Sequence, residues 1–507
     1  MNKLLRNSIA AVSTATILAA CGADISNSVG GGTPSSGSAD FSTFVSVGDS
    51  LTAGYADGAL YRDGQLNSYP AILAQQFAKV GGGAFTQPLM PVGGTGSLSI
   101  TGIGAIPGIR DRLVLVPTGK PTSPVGPFAI TPVVTSSIDT RVGAGGFNNT
   151  GVPGAKSFHL PTPGYGAVSA AAIGAGSVNP FFARFSSSDG TTVLTDALAQ
   201  TPSFFVLWIG NNDILSYATG GGVGVDQTGN ADVSTYGAED ITDPGYFATG
   251  GTGAATGLPG YPGIAGALAA GGAKGVLVNI PNVSTIPYFT TIPFMSIPLD
   301  AAQVAGLQAA LGDPYNAGLD AAVVGVAITQ VEADSRYLNF VVGINPVLIF
   351  DEDLTNIGAG QMRFATADDY IVLLASPKIG VDSAGMYGIS VPLADLDVLT
   401  ATEAAAVQTA STAYNATIKA TADASADLLL FDASAVLAEL NETGLFYGTG
   451  GITSQFAQGG GFSLDGVHPT ARGYAVIANL IIDTINTGFG ATIPKVDPGQ
   501  YSTVFYQ

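Results

Sequence analysis

Short apolar runs that end in tight turns constrain the fold of this chain more than any other feature of its sequence. The runs lie at residues 41–48, 203–209, 275–280 and 428–431. Such runs are typical of strands buried on both faces of a parallel sheet. Segments with the apolar spacing of helices alternate with them, at residues 68–80, 194–200, 264–270, 402–424 and 469 to about 485. The alternation predicts an α/β fold with a doubly wound parallel sheet.

The charge and the scarcity of metal-binding side chains exclude several classes of function. Lys and Arg number 17 against 37 Asp and Glu, so the formal net charge is −20 and the chain would repel nucleic acids. The single cysteine excludes an intrachain disulfide and a cysteine-rich metal site. The two histidines, His159 and His468, are too few for a multi-histidine site. We therefore expect no metal, no cofactor and no nucleic-acid partner.

The N-terminus has the layout of a secretory signal. Lys3 and Arg6 precede an apolar run over residues 9–18, which leads into Leu-Ala-Ala-Cys ending at Cys21. This motif resembles the lipobox of bacterial lipoproteins, which implies that residues 1–21 are a signal and that Cys21 is lipidated. The alternative is a simple signal peptide with a chance cysteine. A membrane span is less favoured, because the run is shorter than the ~20 residues that a span needs.

A lipid on Cys21 would tie the protein to a membrane of the cell envelope. Residues 22–40 are rich in glycine and serine and are predicted to form a flexible tether. Gly22 is not the aspartate that retains lipoproteins in the inner membrane. This favours the outer membrane of a Gram-negative bacterium.

Ser50 follows the first apolar run within Gly-Asp-Ser-Leu, residues 48–51. A serine just past the carboxyl end of a strand sits where open α/β sheets bind ligands. The motif is not the Gly-x-Ser-x-Gly elbow of α/β-hydrolases, because Thr52 occupies the position of the last glycine. Taken alone, Ser50 could equally be the N-cap of a helix.

His468 lies three residues after Asp465, directly before Pro469. A serine hydroxyl becomes a good nucleophile when a neighbouring base takes its proton, and imidazole titrates near neutrality. An upstream carboxylate can hold that imidazole in one tautomer. We predict Pro469 at the first position of the last helix, which would hold His468 next to the amino end of that helix. The alternative is that Asp465 and His468 merely cap this helix.

Asn212 and Gly154 are candidates for an oxyanion hole. Asn212 follows the run at 203–209 directly and can point an amide N–H at an oxyanion, while Gly154 and Ser50 can each add a backbone N–H. In a sheet of order 2-1-3-4-5 the ends of strands 2, 1 and 3 are neighbours, so these groups would converge. The alternatives are a turn amide for Asn212 and a left-handed turn glycine for Gly154.

These motifs together resemble the four blocks of the GDSL, or SGNH, hydrolases. The blocks are Gly-Asp-Ser-Leu at 48–51, Asn-x-Gly-x-x-Gly ending at Gly154, Gly-x-Asn-Asp at 210–213 and Asp-x-x-His at 465–468. They occur in the family's order, and the longer runs at 207–213 and 462–469 are similar to a lipoprotein branch of Bacteroidetes-like bacteria. The resemblance implies a flavodoxin-like three-layer α/β/α sandwich, sheet order 2-1-3-4-5 and a metal-free ester hydrolase.

The resemblance also implies a role for each matching residue. Ser50 would be the nucleophile, His468 the general base and Asp465 the residue that orients it. Ser50, Gly154 and Asn212 would form the oxyanion hole. A minimal domain of the family is much shorter, so residues 41–507 would be one hydrolase domain with insertions near 81–145, 214–260 and 284–400.

The substrate stays open between a lipid, a small ester and an acylated glycan. The resemblance therefore leaves an esterase or lipase, a carbohydrate O-acetyl esterase of the same fold, and a surface binding lipoprotein that has lost activity. An apolar, proline-spaced loop over residues 286–295 could line an acyl pocket, act as a lid or simply pack.

Two further features receive plainer interpretations. His159 has no nearby carboxylate and is predicted to be a surface loop histidine. Five acidic residues between 226 and 243 do not match the spacing of an EF-hand, so a solvated acidic loop is favoured over a calcium loop: Asp226, Asp232, Glu239, Asp240 and Asp243.

Overall fold

A parallel sheet of five strands forms the centre of the computed structural model, which describes residues 33–116, 126–129, 133–143, 146–358, 360–380, 385–448 and 450–504. The strands are β1 (Phe44–Gly48), β2 (Asn149–Gly151), β3 (Phe204–Trp208), β4 (Lys274–Val278) and β5 (Leu428–Phe431). Their order across the sheet is β2-β1-β3-β4-β5. The predicted α/β class and strand order are therefore confirmed. The predicted signal sequence, residues 1–21 with Cys21, lies outside the described residues.

The register of the sheet brings three strand ends to the same level. Gly48 at the end of β1 pairs with Gly151 on one side and with Trp208 on the other. All pairs in this sheet are parallel. The turns that follow β2, β1 and β3 therefore lie side by side at one edge, where open α/β sheets bind their ligands.

Helices cover both faces of the sheet. In chain order the main ones are α1 (Ser50–Ala53), α2 (Tyr69–Phe77), α3 (Val193–Leu198), α4 (Asn212–Thr219), α5 (Tyr261–Ala269), α6 (Ala401–Asp423), α7 (Ala433–Glu442) and α8 (Ala471–Phe489). Successive residues of a strand point to opposite faces. Phe204 and Val206 accordingly pack with α2 and α8, while Phe205 and Leu207 pack in the core that contains α3, α5 and α6. The result is a three-layer sandwich.

The last helix begins later than predicted. Pro469 is not its first residue, because Pro469 forms a β-bridge with Phe462. Thr470 is the N-cap, and its hydroxyl accepts a hydrogen bond of 3.0 Å from the amide of Gly473. α8 then runs to Phe489 and ends at Gly490 in the left-handed conformation. The turn that carries His468 is therefore held by the bridge between Phe462 and Pro469, and not by the first turn of α8.

Short elements occupy much of the sequence between the sheet strands. Strands outside the central sheet are Leu98–Ile100, Gly104–Ala105, Leu113–Val116, Gly126–Ala129, Ser136–Ser137, Met295–Leu299, Gly343–Pro346, Leu348–Phe350, Met362–Phe364, Tyr370–Ile371, Val398–Leu399, Leu445–Tyr447 and Gly450–Ile452. Short helices are Arg62–Leu66, Ala170–Gly174, Pro180–Ala183, Pro244–Thr249, Pro287–Thr290, Ala301–Leu307, Asp313–Val324 and Gln330–Arg336. Among the described residues, none of the helices combines the length and apolar character needed to cross a membrane.

The end of the predicted tether is docked on the C-terminal segment. Ser38 donates its amide to the carbonyl of Phe489 at 2.9 Å, and Thr492 donates to the carbonyl of Ser35 at 2.9 Å. Ala39 is buried in the same apolar cluster as α2 and α8. The prediction of a flexible tether as far as residue 40 is therefore wrong for this last part, because Ala39 and Phe41 have an apolar surface to cover.

Candidate active site

Ser50 is the first residue of α1, at the tip of the turn that follows β1. The helix is capped by Asp49, whose carboxylate accepts a hydrogen bond of 3.0 Å from the amide of Leu51. The N-cap role that sequence left open for Ser50 thus belongs to its neighbour. The Ser50 side chain is 7% exposed and is available for contacts across the sheet edge.

Ser50, His468 and Asp465 form a continuous hydrogen-bonded chain. The Nε2 atom of His468 lies 2.8 Å from the Oγ of Ser50. The Nδ1 atom of the same ring lies 2.9 Å from Oδ2 of Asp465. The fold therefore brings together three side chains, the first of which is 418 residues from the histidine it contacts.

Backbone hydrogen bonds, in addition to the imidazole, stabilise the ionised form of Asp465. Its Oδ1 accepts backbone N–H groups from Val467 and His468 at 2.8 Å each, and its Oδ2 accepts one from Gly58 at 2.8 Å. Burial alone would raise the pKa of this carboxyl, but His468 and the backbone donors outweigh burial and lower it to about 2. A carboxylate with these partners fixes the histidine ring with its Nδ1–H toward Asp465.

A loop that the sequence analysis did not single out fastens the turn carrying Asp465. The amide of Asp57 donates to the Oγ of Ser463 at 2.9 Å, and Oδ1 of Asp57 accepts the amide of Leu464 at 3.1 Å. The ring of Tyr55 lies 4.7 Å from that of His468. These residues position the predicted base although nothing in their local pattern suggested it.

Asn212 lies beside the turn of Gly154. Its Nδ2 donates to the carbonyl of Ala155 at 3.0 Å, and Gly154 is exposed at the bend with φ of +79°. A side-chain amide carries two N–H groups, so one can serve Ala155 and the other an oxyanion. The structure thus brings Asn212 to the turn of Gly154, as the strand order predicted.

A buried contact links the Ser50 turn to the Asn212 turn. Asn211 donates from Nδ2 to Oδ2 of Asp49 at 2.8 Å. Burial raises the pKa of Asp49 to about 6, against the lowering effect of this hydrogen bond. The residues immediately before Ser50 and Asn212 are thereby fixed to one another. Both belong to the motifs quoted above, but the sequence alone gave them no role.

Gly151 explains how α1 approaches β2 so closely. A Cβ at this position would lie 2.3 Å from the amide nitrogen of Ala53. Asn149 of the same strand donates from Nδ2 to the carbonyl of Thr52 at 2.9 Å. Only a glycine fits under α1 here, which keeps Ser50 at the level of the Gly154 turn.

Two cavities lie beside the turns that carry the candidate residues. One is apolar, has a volume of about 100 Å³ and is lined by Leu51 next to Ser50 and by Val467 and Pro469 on either side of His468. Ile286 lines it too, so one residue of the proline-spaced loop lies at this cavity, while Tyr288 and Phe289 are buried in the core. The other is a wider, more polar cleft of about 760 Å³ that begins at Gly154.

The interpretation of His159 as a surface loop histidine is only partly right, because the residue lies in a loop but is half-buried. Its ring stacks on that of Tyr165 with 4.2 Å between centroids, and its Nδ1 accepts the amide of Lys156 at 3.0 Å. Burial, with help from the charge of Lys156, lowers the pKa of His159 to about 3. The imidazole is therefore a neutral wall of the wider cleft.

The acidic loop is not simply solvated either. Asp240 is buried and accepts hydrogen bonds from the amides of Val225 and Gly237, and Asp243 accepts from those of Gly229 and Tyr246. In this irregular loop the carboxylates accept hydrogen bonds from backbone N–H groups that have no helix or strand partner. Sequence could not show these partners, because they depend on how the loop folds back on itself.

Comparison with protein-family models, with curated proteins and with solved structures found no match. The resemblance to the GDSL hydrolases therefore depends on the four short blocks and on the geometry that joins them.

Proposed function

We propose that this chain is a serine ester hydrolase of the GDSL type, with Ser50 as nucleophile. The observation that carries the proposal is the chain of two hydrogen bonds from Ser50 Oγ through His468 to Asp465. In this arrangement His468 Nε2 takes the hydroxyl proton as Oγ attacks the ester carbonyl carbon. Asp465 stays ionised and stabilises the imidazolium that forms.

The tetrahedral intermediate would be stabilised at the Gly154 side of Ser50. The amides of Ser50 and Gly154 and the side chain of Asn212 are the proposed donors to its oxyanion. Collapse of the intermediate expels the alcohol, which receives the proton from His468, and leaves an acyl group on Ser50. A water activated by the same histidine then releases the acid and restores the hydroxyl.

The two cavities suggest how an ester would be divided between its acyl and alcohol portions. The apolar cavity next to Leu51 and Val467 has a volume of about 100 Å³ and an apolar lining. We assign it to a short acyl chain. The wider cleft at Gly154 would take the alcohol portion, which can be larger and more polar.

The test of the nucleophile is covalent labelling with a fluorophosphonate probe. We expect stoichiometric labelling of the purified chain and none of Ser50→Ala. Ser335→Ala, which changes an exposed serine of the helix Gln330–Arg336, is the matched control and should label fully. Equal labelling of Ser50→Ala and the unchanged chain would remove the proposal.

The test of the acyl cavity is a panel of p-nitrophenyl esters from acetate to long chains. Leu440→Trp narrows the cavity by enlarging one of its lining side chains. We expect this variant to lower kcat/KM for butyrate and hexanoate esters and to leave acetate nearly unchanged. A uniform effect on all chain lengths would show that the acyl group lies elsewhere.

A carbohydrate O-acetyl esterase is the second candidate, favoured by the lining of the wider cleft. Phe158, Tyr165 and Tyr236 border it together with polar groups such as Asn179, and aromatic faces with a few polar partners suit a sugar ring. Release of acetate from acetylated glycans at a higher kcat/KM than from p-nitrophenyl acetate would favour this alternative. A binding lipoprotein without activity is the third, and would hydrolyse neither class.

Lipidation of Cys21 and an envelope location are part of the proposal. The lipobox-like motif supports them. Mass spectrometry of the chain purified from membranes should find an acylated Cys21 at the N-terminus. A Cys21→Ala variant should appear in the soluble fraction.

A further inference from the structure

Three carboxylates from separate elements of the chain converge at one place. Glu352 follows the strand Leu348–Phe350, Asp395 opens a short helical turn, and Glu403 lies in the first turn of α6. One carboxylate oxygen from each lies within 4.8 Å of the other two. Such spacing leaves three negative charges in mutual repulsion unless something positive lies between them.

The innermost oxygens of the cluster are buried and have no hydrogen-bond donor among the described residues; their polar contact is with the carboxylate of Glu352. Glu403 is only 4% exposed, and while its Oε2 accepts the amide of Thr400 at 2.7 Å, its Oε1 has no donor. Oδ1 of Asp395 is buried and without a donor as well. A buried carboxylate oxygen without a donor is costly, so these two atoms indicate a missing ligand.

The cations near the cluster are already engaged elsewhere. Lys378 pairs with Asp397, and Arg363 pairs with Asp351 and Asp369. No Lys, Arg or His in the described ranges forms an ion pair with any of the three cluster carboxylates. The protein must therefore neutralise this cluster with protons or with a cation.

The turn after α4 also faces the cluster. A Cβ at Gly222 would lie 2.0 Å from Oε1 of Glu403, and one at Gly221 would lie 2.3 Å from the carbonyl oxygen of Asp395. Both glycines have positive φ, so the backbone can pass this close.

We propose that Glu352, Asp395 and Glu403 bind a Ca²⁺ ion. All three offer hard oxygen ligands, which suit Ca²⁺ or Mg²⁺ better than Zn²⁺. Ca²⁺ accepts irregular sets of six to eight oxygens at once, with water completing the shell, whereas Mg²⁺ requires near-octahedral geometry. The partly exposed edge at Glu352 leaves room for those waters.

The ion would fasten the long segment after β4 to the helices around the sheet. Glu352 and Asp395 belong to that segment and Glu403 belongs to α6. The turn of Gly221 and Gly222 follows α4, the helix that begins at Asn212. The proposal concerns folding stability and does not depend on the proposed hydrolysis. The two can therefore fail independently.

The experiment is a titration of the EDTA-treated full chain with CaCl₂, followed by calorimetry and thermal unfolding. We expect one equivalent of Ca²⁺ to bind and Tm to rise by several degrees at saturation, with a smaller rise for MgCl₂. Glu352→Gln is the test variant because this side chain is exposed and its loss does not open the core. Glu442→Gln, which changes an exposed residue at the end of α7, is the matched control.

The decisive readout is a reversal in the order of stability. Without Ca²⁺, Glu352→Gln removes repulsion and should unfold at a higher Tm than the unchanged chain; with Ca²⁺ it should unfold at a lower Tm and bind at least about tenfold more weakly. Glu442→Gln should follow the unchanged chain in both conditions. A Glu352→Gln chain that is more stable in both conditions, or an unchanged chain that binds no Ca²⁺, would show that the cluster shares protons instead.

Discussion

The two histidines of this chain lie in loops at the same edge of the sheet, in opposite electrostatic surroundings. In the His468 loop (residues 463–468), Nδ1 faces the carboxylate of Asp465 and Nε2 faces a hydroxyl. In the His159 loop (residues 153–160), Nδ1 accepts a backbone N–H and the nearest charge is the ammonium of Lys156. One imidazole can accept a proton and be stabilised by an anion, whereas the other is kept neutral.

The difference shows that the partner of the second ring nitrogen decides what a histidine can do. A carboxylate on Nδ1 stabilises the imidazolium, while an N–H donor on Nδ1 occupies the lone pair and opposes protonation. The two loops are nevertheless supported by the same sheet edge. Asp213 at the start of α4 accepts the amide and the hydroxyl of Ser157 at 2.8 and 2.6 Å, which anchors the His159 loop.

Replacing each histidine by alanine should give the largest difference in kcat between the two loops. His468→Ala removes the base, so we expect kcat for a p-nitrophenyl ester to fall by about 10⁵-fold. His159→Ala should change kcat less than tenfold and act mainly on KM, because its ring only lines the wider cleft. Similar losses in kcat for both variants would contradict the assignment of the base.

Asp465→Asn tests the anion that distinguishes the His468 loop. An amide at this position keeps the shape but presents an N–H to Nδ1, which favours the wrong tautomer of His468. We expect kcat to fall by about 10⁴-fold with little change in KM. Steady-state kinetics on the folded variant, with its circular dichroism as the control, checks this. A loss below tenfold would mean that the carboxylate serves only the backbone donors.

Asn212→Ala tests whether the part of the site next to the His159 loop supplies a hydrogen-bond donor to the oxyanion. Loss of one oxyanion donor costs about 10²- to 10³-fold in kcat, or ~3 to 4 kcal/mol. Asn212 also donates to Ala155, so the variant loses a structural contact. Asn179→Ala is the matched control, because Asn179 likewise donates from its side chain to a carbonyl of this loop, that of Pro153 at 2.8 Å. Equal losses in the two variants would assign Asn212 a structural role alone.

Much of the framework of this edge follows from the sequence. The runs at 203–209 and 275–280 form strands because their large apolar side chains are buried in an apolar cluster on one face of the sheet or the other, and such runs are visible without a structure. The positions of Ser50 and Asn212 after strand ends follow from the same pattern. The prediction for Pro469 was wrong because its partner, Phe462, is seven residues upstream and pairs through the backbone.

The supporting residues could not be predicted, because their partners are distant in sequence. Asp57 holds Ser463 and Leu464 across more than 400 residues, and Asn211 meets Asp49 across 162. His159 is different. Phe158 and Tyr165 lie close by in sequence and contact its ring, so a local cluster of aromatic residues was a signal that the histidine packs against other rings.

The smallest expected effect is on the free energy of unfolding in acid, which depends on the protonation of His159. A histidine with a folded pKa of about 3 and an ordinary unfolded value of ~6.5 binds its proton more readily in the unfolded chain between these pH values. Its contribution to stability is therefore complete above pH ~6.5 and falls as the pH drops toward 3. Asp465, with its folded pKa of about 2, loses its own contribution only below pH ~4.

His159→Gln should therefore reduce the loss of stability between pH 6.5 and 4, measured as the difference in the free energy of urea unfolding between variant and unchanged chain. Other groups that titrate in this range, such as Asp49, contribute equally to both chains and cancel in the difference. Gln keeps an acceptor for the amide of Lys156, so the loop itself should remain folded. Parallel pH profiles for the two chains would mean that His159 has the same pKa in the folded and the unfolded chain. The two loops would then differ in their position relative to Ser50 and not in how they affect the charge of their histidines.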